Sequence, residues 1–320
     1  MTEQRKLIRL GNSSFAIALP KTWVELNKLE KGDAIFLNTV DGELVISPRE
    51  KTKVKENKEI TIDIDGKDAD AVEAEFSFAY INNYNLITLK YPSSKFKPQQ
   101  LKNLVHNFIG IEVVEQNNEK TVLRDILDIN EFSVKEVVRR MDNIIRSMFE
   151  DLVSSLNENE GFTKMQNEMQ ETDIEVNKLY FLIWKIVKKG LCNEILAKKM
   201  GVGFEKLPSF QWLALNQEFI GDEIKRISRF LTKKKLSEKQ AKDLKEVTYR
   251  IYNNYTAAMT AHYKGDRDLA LEVASKNDKF ALMVCEDFFE KNPDPIIAKI
   301  TERLKTIQGA THYITRGVPY

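Results

Sequence analysis

Residues 6–48 constrain the fold of this chain most, because they predict four strands and a helix in a segment too short to bury them. Two short apolar strands flank the turn GNSS at 11–14, and a second hairpin turns at DG, residues 41–42, which is a strong turn signal. Between the hairpins a short helix begins at Pro20 and ends before Gly32. Fewer than about 50 residues cannot easily bury a self-sufficient core, so we expect this module to share its core with a second copy.

The segments that carry this pattern resemble the SpoVT/AbrB swapped-hairpin family. They are RLGNSSFAIALPKTW, LEKGD and DGELVISP. The resemblance implies a β-barrel interlaced from two chains. It therefore implies a homodimer whose domain 1–48 both dimerises the protein and grips double-stranded DNA.

The N-terminal module is locally basic, which favours a nucleic-acid partner. Residues 1–31 carry six basic and three acidic side chains, whereas the whole chain has a net charge of only +1. Any binding to DNA must therefore come from a local patch. Hydroxyl and amide side chains in the first turn add donors for phosphate oxygens. The alternative is that these lysines are ordinary solvated residues and the module only dimerises. The candidate DNA-binding residues are Arg5, Lys6, Arg9, Asn12, Ser13, Ser14 and Lys21.

The composition indicates a cytoplasmic protein without membrane insertion. The chain has two cysteines, Cys192 and Cys285, too few for a disulfide scaffold, which favours a reducing compartment. No run of eighteen apolar residues is present, and the N-terminus lacks an apolar signal core.

The middle of the chain predicts a small α+β domain. Residues 49–58 are charged and are interpreted as a linker. In 59–128, alternating and helical apolar patterns predict the order βαβαββ, beginning with the strand that contains Ile60, Ile62 and Ile64. We find no catalytic or binding motif in this domain, so its role stays open between partner binding and spacing.

From residue 131 onward the pattern is entirely helical and repeats once. Apolar residues recur every three or four positions, which predicts long amphipathic helices. The segments 131–231 and 236–318 each predict three helices, and the third helix begins at Pro208 in one and at Pro295 in the other. This is an internal duplication. The predicted fold class is therefore multidomain, with a swapped-hairpin barrel, an α+β domain and two tandem three-helix bundles.

Two helices of the first bundle each present two oxygen-bearing side chains four residues apart. QETDIEVNKLY places Asp173 and Asn177 on one helix face, and LALNQEFIGDEIKRI places Glu218 and Asp222 on another. If the two faces meet, four oxygen ligands converge on one point. Such ligands suit Mg²⁺, Mn²⁺ or Ca²⁺, and iron is also accommodated.

The helical half resembles the PhoU family of phosphate-transport regulators. The duplicated three-helix units and EFIGDEI, at residues 218–224, carry this resemblance over 131–318. It implies control of phosphate uptake by docking on a phosphate transporter ATPase or a sensor kinase, and metal bound by Asp173, Asn177, Glu218 and Asp222. In the second three-helix segment, 236–318, the corresponding positions are Asn277 with Ala281 and Lys305 with Gly309, which carry no carboxylate.

Two alternatives stay open. The acidic residues are also explained by a solvated face neutralised by Lys225 and Arg229 on the same helix. For the whole chain, the leading hypothesis is a DNA-binding regulator of phosphate homeostasis, and the alternative is an adaptor without DNA function that inhibits a transporter or kinase. No nucleophile–base constellation and no phosphate-binding loop is present, so we expect no enzymatic activity.

Overall fold

The computed structural model describes residues 4–40, 43–48, 58–91, 98–192 and 194–318. The chain divides into two compact units, residues 1–56 and residues 57–320. The predicted turn at 41–42 and nearly all of the predicted linker lie outside the described residues.

The N-terminal unit consists of two separate hairpins and a short helix. In the first hairpin Arg9 lies opposite Phe15, and in the second Phe36 lies opposite Ser47. Each hairpin is a two-stranded sheet of its own, so the described part of a single chain contains no closed barrel. Gly32 lies in the turn that follows the helix and has a φ of +104°, a backbone conformation that favours glycine. The elements are β1 (Ile8–Leu10), β2 (Ser14–Ala16), α1 (Lys21–Leu26), β3 (Phe36–Val40) and β4 (Glu43–Ser47).

The second unit begins with a four-stranded mixed sheet in the predicted βαβαββ order. The strand order is β5-β6-β8-β7, with β5 and β6 parallel and the remaining pairs antiparallel. Asp68 caps the first helix by accepting a hydrogen bond from the Ala71 amide. The elements are β5 (Glu59–Asp63), α2 (Ala69–Ile81), β6 (Leu86–Lys90), α3 (Pro98–His106), β7 (Ile111–Gln116) and β8 (Lys120–Asp125).

Long helices follow the sheet. They are α4 (Val134–Glu158), α5 (Phe162–Leu191), α6 (Glu194–Lys199), α7 (Leu207–Leu231), α8 (Glu238–Lys264), α9 (Arg267–Glu272), α10 (Asp278–Lys291) and α11 (Pro295–Arg316). Two features differ from the sequence expectation. A short additional helix, α6, precedes α7, and the middle helix of the second half is divided by a five-residue π turn, Val273–Asn277. None of the described helices is long and apolar enough to cross a bilayer.

The two helical halves share one hydrophobic core. A single cluster of buried side chains runs from Ile129 to Ile314. Helix α7 of the first half packs against α11 of the second, and α4 of the first half packs against α8 of the second. Two pairs of helices therefore join the halves. Buried Glu223 on α7 pairs with Arg303 on α11 at 3.2 Å, which adds a charged contact between the halves. The periodicity identified the apolar faces of these helices, but not which faces meet.

A buried ion pair joins the sheet to α5. Lys185 is fully buried, and its Nζ lies 2.7 Å from Asp125 Oδ2 at the end of β8. The same ammonium donates to the Tyr80 carbonyl at 3.1 Å and lies 4.2 Å from the centre of the Tyr80 ring. Burial lowers the pKa of Lys185, and the Asp125 charge opposes that shift. A charge in this position is tolerated only because it is paired.

We predict that Lys185→Met destabilises the protein, because it leaves the Asp125 carboxylate buried without a cation. The expected loss is about 3–5 kcal/mol in the free energy of unfolding, measured by urea denaturation. Lys189→Met, the same change at an exposed position one turn further along α5, is the control and should cost less than about 0.5 kcal/mol. Adding Asp125→Asn to Lys185→Met should recover part of the loss. Equal stability of the two single variants would contradict the role of this pair.

Candidate nucleic-acid interface and carboxylate cluster

The N-terminal unit leaves its apolar side chains in water. Helix α1 buries no residue, and Leu26 at its end is 84% exposed. Ser47 is the only buried residue among those whose burial is described in this unit. Exposed apolar surface of this extent indicates a missing partner surface. The exposed apolar residues of the strands and their flanks are Leu7, Ile8, Leu10, Phe15, Ile17, Ile35, Leu37, Leu44 and Val45.

The seven candidate DNA-binding residues all lie at the surface of this unit. Arg9 is in β1, and its Nη2 lies 3.5 Å from the Asn12 carbonyl oxygen in the turn that follows. Lys21 begins α1 and forms a loose, exposed ion pair with Glu25 at 3.6 Å. Such exposed pairs contribute little to stability, so Lys21 stays accessible to a phosphate. The remaining candidates are Arg5, Lys6, Ser13 and Ser14.

The predicted metal residues come together between α5 and α7, but a lysine lies among them. We call Asp173, Glu218, Asp222, Lys225 and Arg226 the carboxylate cluster. The Lys225 ammonium lies 2.6 Å from Asp173 Oδ2 and 2.7 Å from Asp222 Oδ1. Arg226 Nη2 lies 3.0 Å from Asp222 Oδ2. The sequence analysis expected Arg229 to neutralise the acidic residues together with Lys225, but in the structure the arginine that pairs with Asp222 is Arg226.

Two of the three carboxylates in the cluster, Asp173 and Asp222, are paired with protein cations in this arrangement. The Asn177 side-chain amide donates its N–H to Asp173 Oδ2 at 3.3 Å, so the side chain acts here through its nitrogen as a hydrogen-bond donor and not as an oxygen ligand. Across the described ranges, no group of three or more His, Cys, Asp or Glu side chains is arranged to hold a metal ion. A metal at this position would have to displace the Lys225 ammonium.

Glu218 is the member of the cluster without a direct partner. No hydrogen bond or ion pair reaches its carboxylate from the part of the chain that the structure describes. Burial raises the pKa of Glu218 to about 7, and the charges of Asp222 and Asp173 raise it further than Lys225 and Arg226 lower it. Burial also raises the pKa of Asp173, although Lys225 opposes that shift.

The second helical half contains a polar cluster that the sequence analysis missed. Asn254 donates to Gln308 Oε1 at 3.1 Å, and Gln308 donates to Asp278 Oδ1 at 3.1 Å. His312 Nδ1 lies 3.6 Å from Asp278 Oδ2. Asp278 lies one position beyond Asn277, and Gln308 and His312 lie three positions beyond Lys305 and Gly309, whereas Asn254 on α8 corresponds to none of the positions chosen from the sequence. The four-residue spacing of Gln308 and His312 was the available signal, but spacing alone does not identify the face that meets α10.

Comparison with known protein families matched the N-terminal part of the chain. The model of the family described as "Antidote-toxin recognition MazE, bacterial antitoxin" matches residues 8–55. This family is of the AbrB-like swapped-hairpin type, so the match supports that prediction for the N-terminal domain. No curated protein and no solved structure matched the chain.

We predict that Glu218→Gln stabilises the protein at alkaline pH. The ordinary pKa of this carboxyl is 4.5, and the folded protein raises it to about 7. Between these values the folded state keeps a proton that the unfolded state has released, so the stability from protonated Glu218 is lost as the pH rises through about 7. The variant should therefore unfold at higher urea than wild type at pH 8 and at equal urea near pH 4.

The matched control for this prediction is Glu171→Gln, which removes one carboxylate from the exposed face of α5. The quantity to compare is the difference from wild type at each pH, because contributions of all other titrating groups then cancel. A Glu218→Gln difference that stays constant from pH 4 to pH 8 would contradict the raised pKa.

Proposed function

We propose that this protein is a homodimeric DNA-binding regulator of phosphate uptake. The observation that carries the proposal is the exposed apolar surface of the N-terminal unit. A second copy offers the same strands and can cover that surface, as the family match at residues 8–55 suggests. The basic residues of two chains would then lie on one dimer and contact the phosphate backbone.

The phosphate part of the proposal rests on the resemblance of the helical half to the PhoU family. In this proposal the helices dock on a phosphate transporter ATPase or a sensor kinase, while the N-terminal dimer contacts DNA. The duplicated helices that share one core support a rigid docking body. In this proposal the function is carried by the surfaces of the fold.

The divalent or iron ion expected at Asp173, Asn177, Glu218 and Asp222 stays a prediction outside this proposal. Elemental analysis of the purified protein tests it. Stoichiometric metal that is lost after Asp173→Ala with Asp222→Ala would support the ion, and metal-free protein would argue against it. Lys225→Met removes the competing ammonium and should raise the metal content if the site binds a cation.

A second candidate function is an adaptor that dimerises through the N-terminal unit without binding DNA. One observation favours it, since the turn at 11–14 presents Asn and Ser side chains rather than arginines. The description of the matched family adds a toxin as a third kind of partner for this unit. Mass spectrometry of co-purified proteins separates these partners.

We predict that Phe15→Asp converts a dimer into a monomer, because a carboxylate cannot be buried in a shared apolar core without a partner. Sedimentation at micromolar concentration is the measurement. Leu271→Asp, a change at another exposed apolar position on α9, is the control and should leave the dimer intact. Wild type that sediments as a monomer would overturn the proposed function.

We predict that replacing Arg5, Lys6 and Arg9 with alanine weakens DNA binding and reduces its salt dependence. The slope of log K against log salt should fall by about 0.9 for each lost phosphate contact. The control replaces Lys233, Lys235 and Lys239, three exposed lysines of the helical half, and removes the same charge. Equal binding by both triple variants at low salt would favour the adaptor.

Regulation of phosphate uptake is tested in cells grown at high and low phosphate. Chromatin pull-down sequencing should place the protein near genes for phosphate transport, and mass spectrometry of the same material should identify a transporter ATPase or kinase. Occupancy and partners that ignore phosphate supply would contradict the phosphate part and leave DNA binding standing.

A further inference from the structure

The outer face of α7 carries a row of large apolar side chains in water. Trp212, Leu215 and Phe219 are 41%, 39% and 41% exposed. Their spacing of three and four residues places them on one face, along about 10 Å of helix. The opposite face of α7 is buried in the core, so the helix itself is firmly held. Such a patch on an otherwise well-packed body marks an interaction surface.

Tyr313 on α11 extends this row and fixes its end. The Trp212 indole N–H donates to the Tyr313 carbonyl at 2.9 Å, and the two rings meet edge to face with centres 6.0 Å apart. Tyr313 is itself exposed. We call Trp212, Leu215, Phe219 and Tyr313 the α7–α11 surface. Because its largest side chains are already held, little side-chain entropy is lost when they are covered.

The two ends of the α7–α11 surface carry opposite charges that lack ion-pair partners. Glu218, beside Phe219, has no cation bound to it within the described residues. At the other end the Arg316 guanidinium lies 5.1 Å from the Tyr313 ring centre and 3.1 Å from His312 Nε2. No described carboxylate pairs with Arg316. The surface is therefore apolar in the middle, acidic at one end and basic at the other.

We propose that the α7–α11 surface is a second interface between two copies of this chain. A surface with an unpaired acid at one end and an unpaired base at the other is complementary to itself. A two-fold axis that passes between the ends pairs Glu218 of one copy with Arg316 of the other, and does so twice. The same axis brings the apolar centre, at Leu215, against itself. The Glu218→Gln prediction is therefore measured on the Phe15→Asp monomer, in which no second copy supplies a cation.

The size of the surface explains why it acts only within a tethered dimer. Four large side chains form a small contact, whereas a stable interface buries about 1,200–2,000 Å². The inference therefore rests on the proposed dimerisation through the N-terminal unit, which links the helical regions of two chains. Tethering of this kind raises the effective concentration to about the millimolar range, where a weak contact is populated.

The test is a disulfide across the two-fold axis in the full-length chain. Leu215→Cys is made in a Cys192→Ser background, because Cys192 is exposed and Cys285 is buried. Mild oxidation should link most chains through residue 215, read on a non-reducing gel and by mass spectrometry. Phe280→Cys, at a similarly exposed position on α10, is the control and should link few chains.

Charge exchange distinguishes a specific contact from collision. Glu218→Arg and Arg316→Glu should each lower the cross-linking of Leu215→Cys several-fold, and the double exchange should restore it. Thermal melts verify folding, and if Glu218→Arg is unfolded, the loss of cross-linking in Arg316→Glu carries the test by itself. A sedimenting dimer in which Leu215→Cys links no better than Phe280→Cys overturns this interface and leaves the proposed function intact. A monomer overturns both.

Discussion

The apolar strands of the N-terminal unit are exposed to water in a single chain. The proposed dimer, and every function that needs two chains, depends on covering this surface. Apolar surface in water costs about 25 cal/mol per Å², and several large side chains contribute to it at once. A module of fewer than about 50 residues is too small to supply a second layer of structure that would cover these side chains. A second chain with the same strands removes that cost. In the proposed function, DNA contact by two basic modules and the tethering of the helical regions of two chains both depend on this association.

Within the second unit, buried charges define how the elements dock. Lys185 reaches from α5 to Asp125 in the sheet, and Glu223 reaches from α7 to Arg303 on α11. An apolar contact tolerates small shifts of one helix along another. The Lys185–Asp125 pair does not, because each partner left alone would keep a charge in the interior. Glu223 is buried as well, but Arg303 is partly exposed and Arg226 on α7 also pairs with Glu223, so this second contact constrains the docking less. These pairs therefore favour one docking arrangement among the several that apolar faces alone would allow.

The carboxylate cluster shows how the same residues serve two different interpretations. Burial raises the pKa of Glu218 to about 7, and the charges of Asp222 and Asp173 add to that shift. Three carboxylates and two cations leave the cluster one positive charge short. A metal ion is one way to supply the missing charge. Arg316 of a second copy is another, and it uses only residues that this chain provides. The two explanations differ in what they predict for purified protein without added metal.

Local spacing was sufficient to predict much of the fold. The period of two residues identified β5 around Ile62, and the Pro208 and Pro295 positions identified the starts of two long helices. The four-residue spacing of Glu218 and Asp222 identified the α7 half of the cluster. The partner of Asp173 was beyond reach, because Lys225 lies fifty-two positions away along the chain. The π turn Val273–Asn277 likewise has no spacing signal, and Asn277, the first of the misplaced positions in the second half, is its last residue.

The sequence by itself determined most of the strands and long helices and which of their faces are apolar, since these properties are set by residues within a few positions of one another. Only the tertiary structure decided that the two helical halves share one core, that Lys225 rather than an open space lies between Asp173 and Asp222, and that Trp212 meets Tyr313. The physical reason is that such contacts depend on how whole elements pack, and the free energy of packing is shared by many side chains that are distant along the chain.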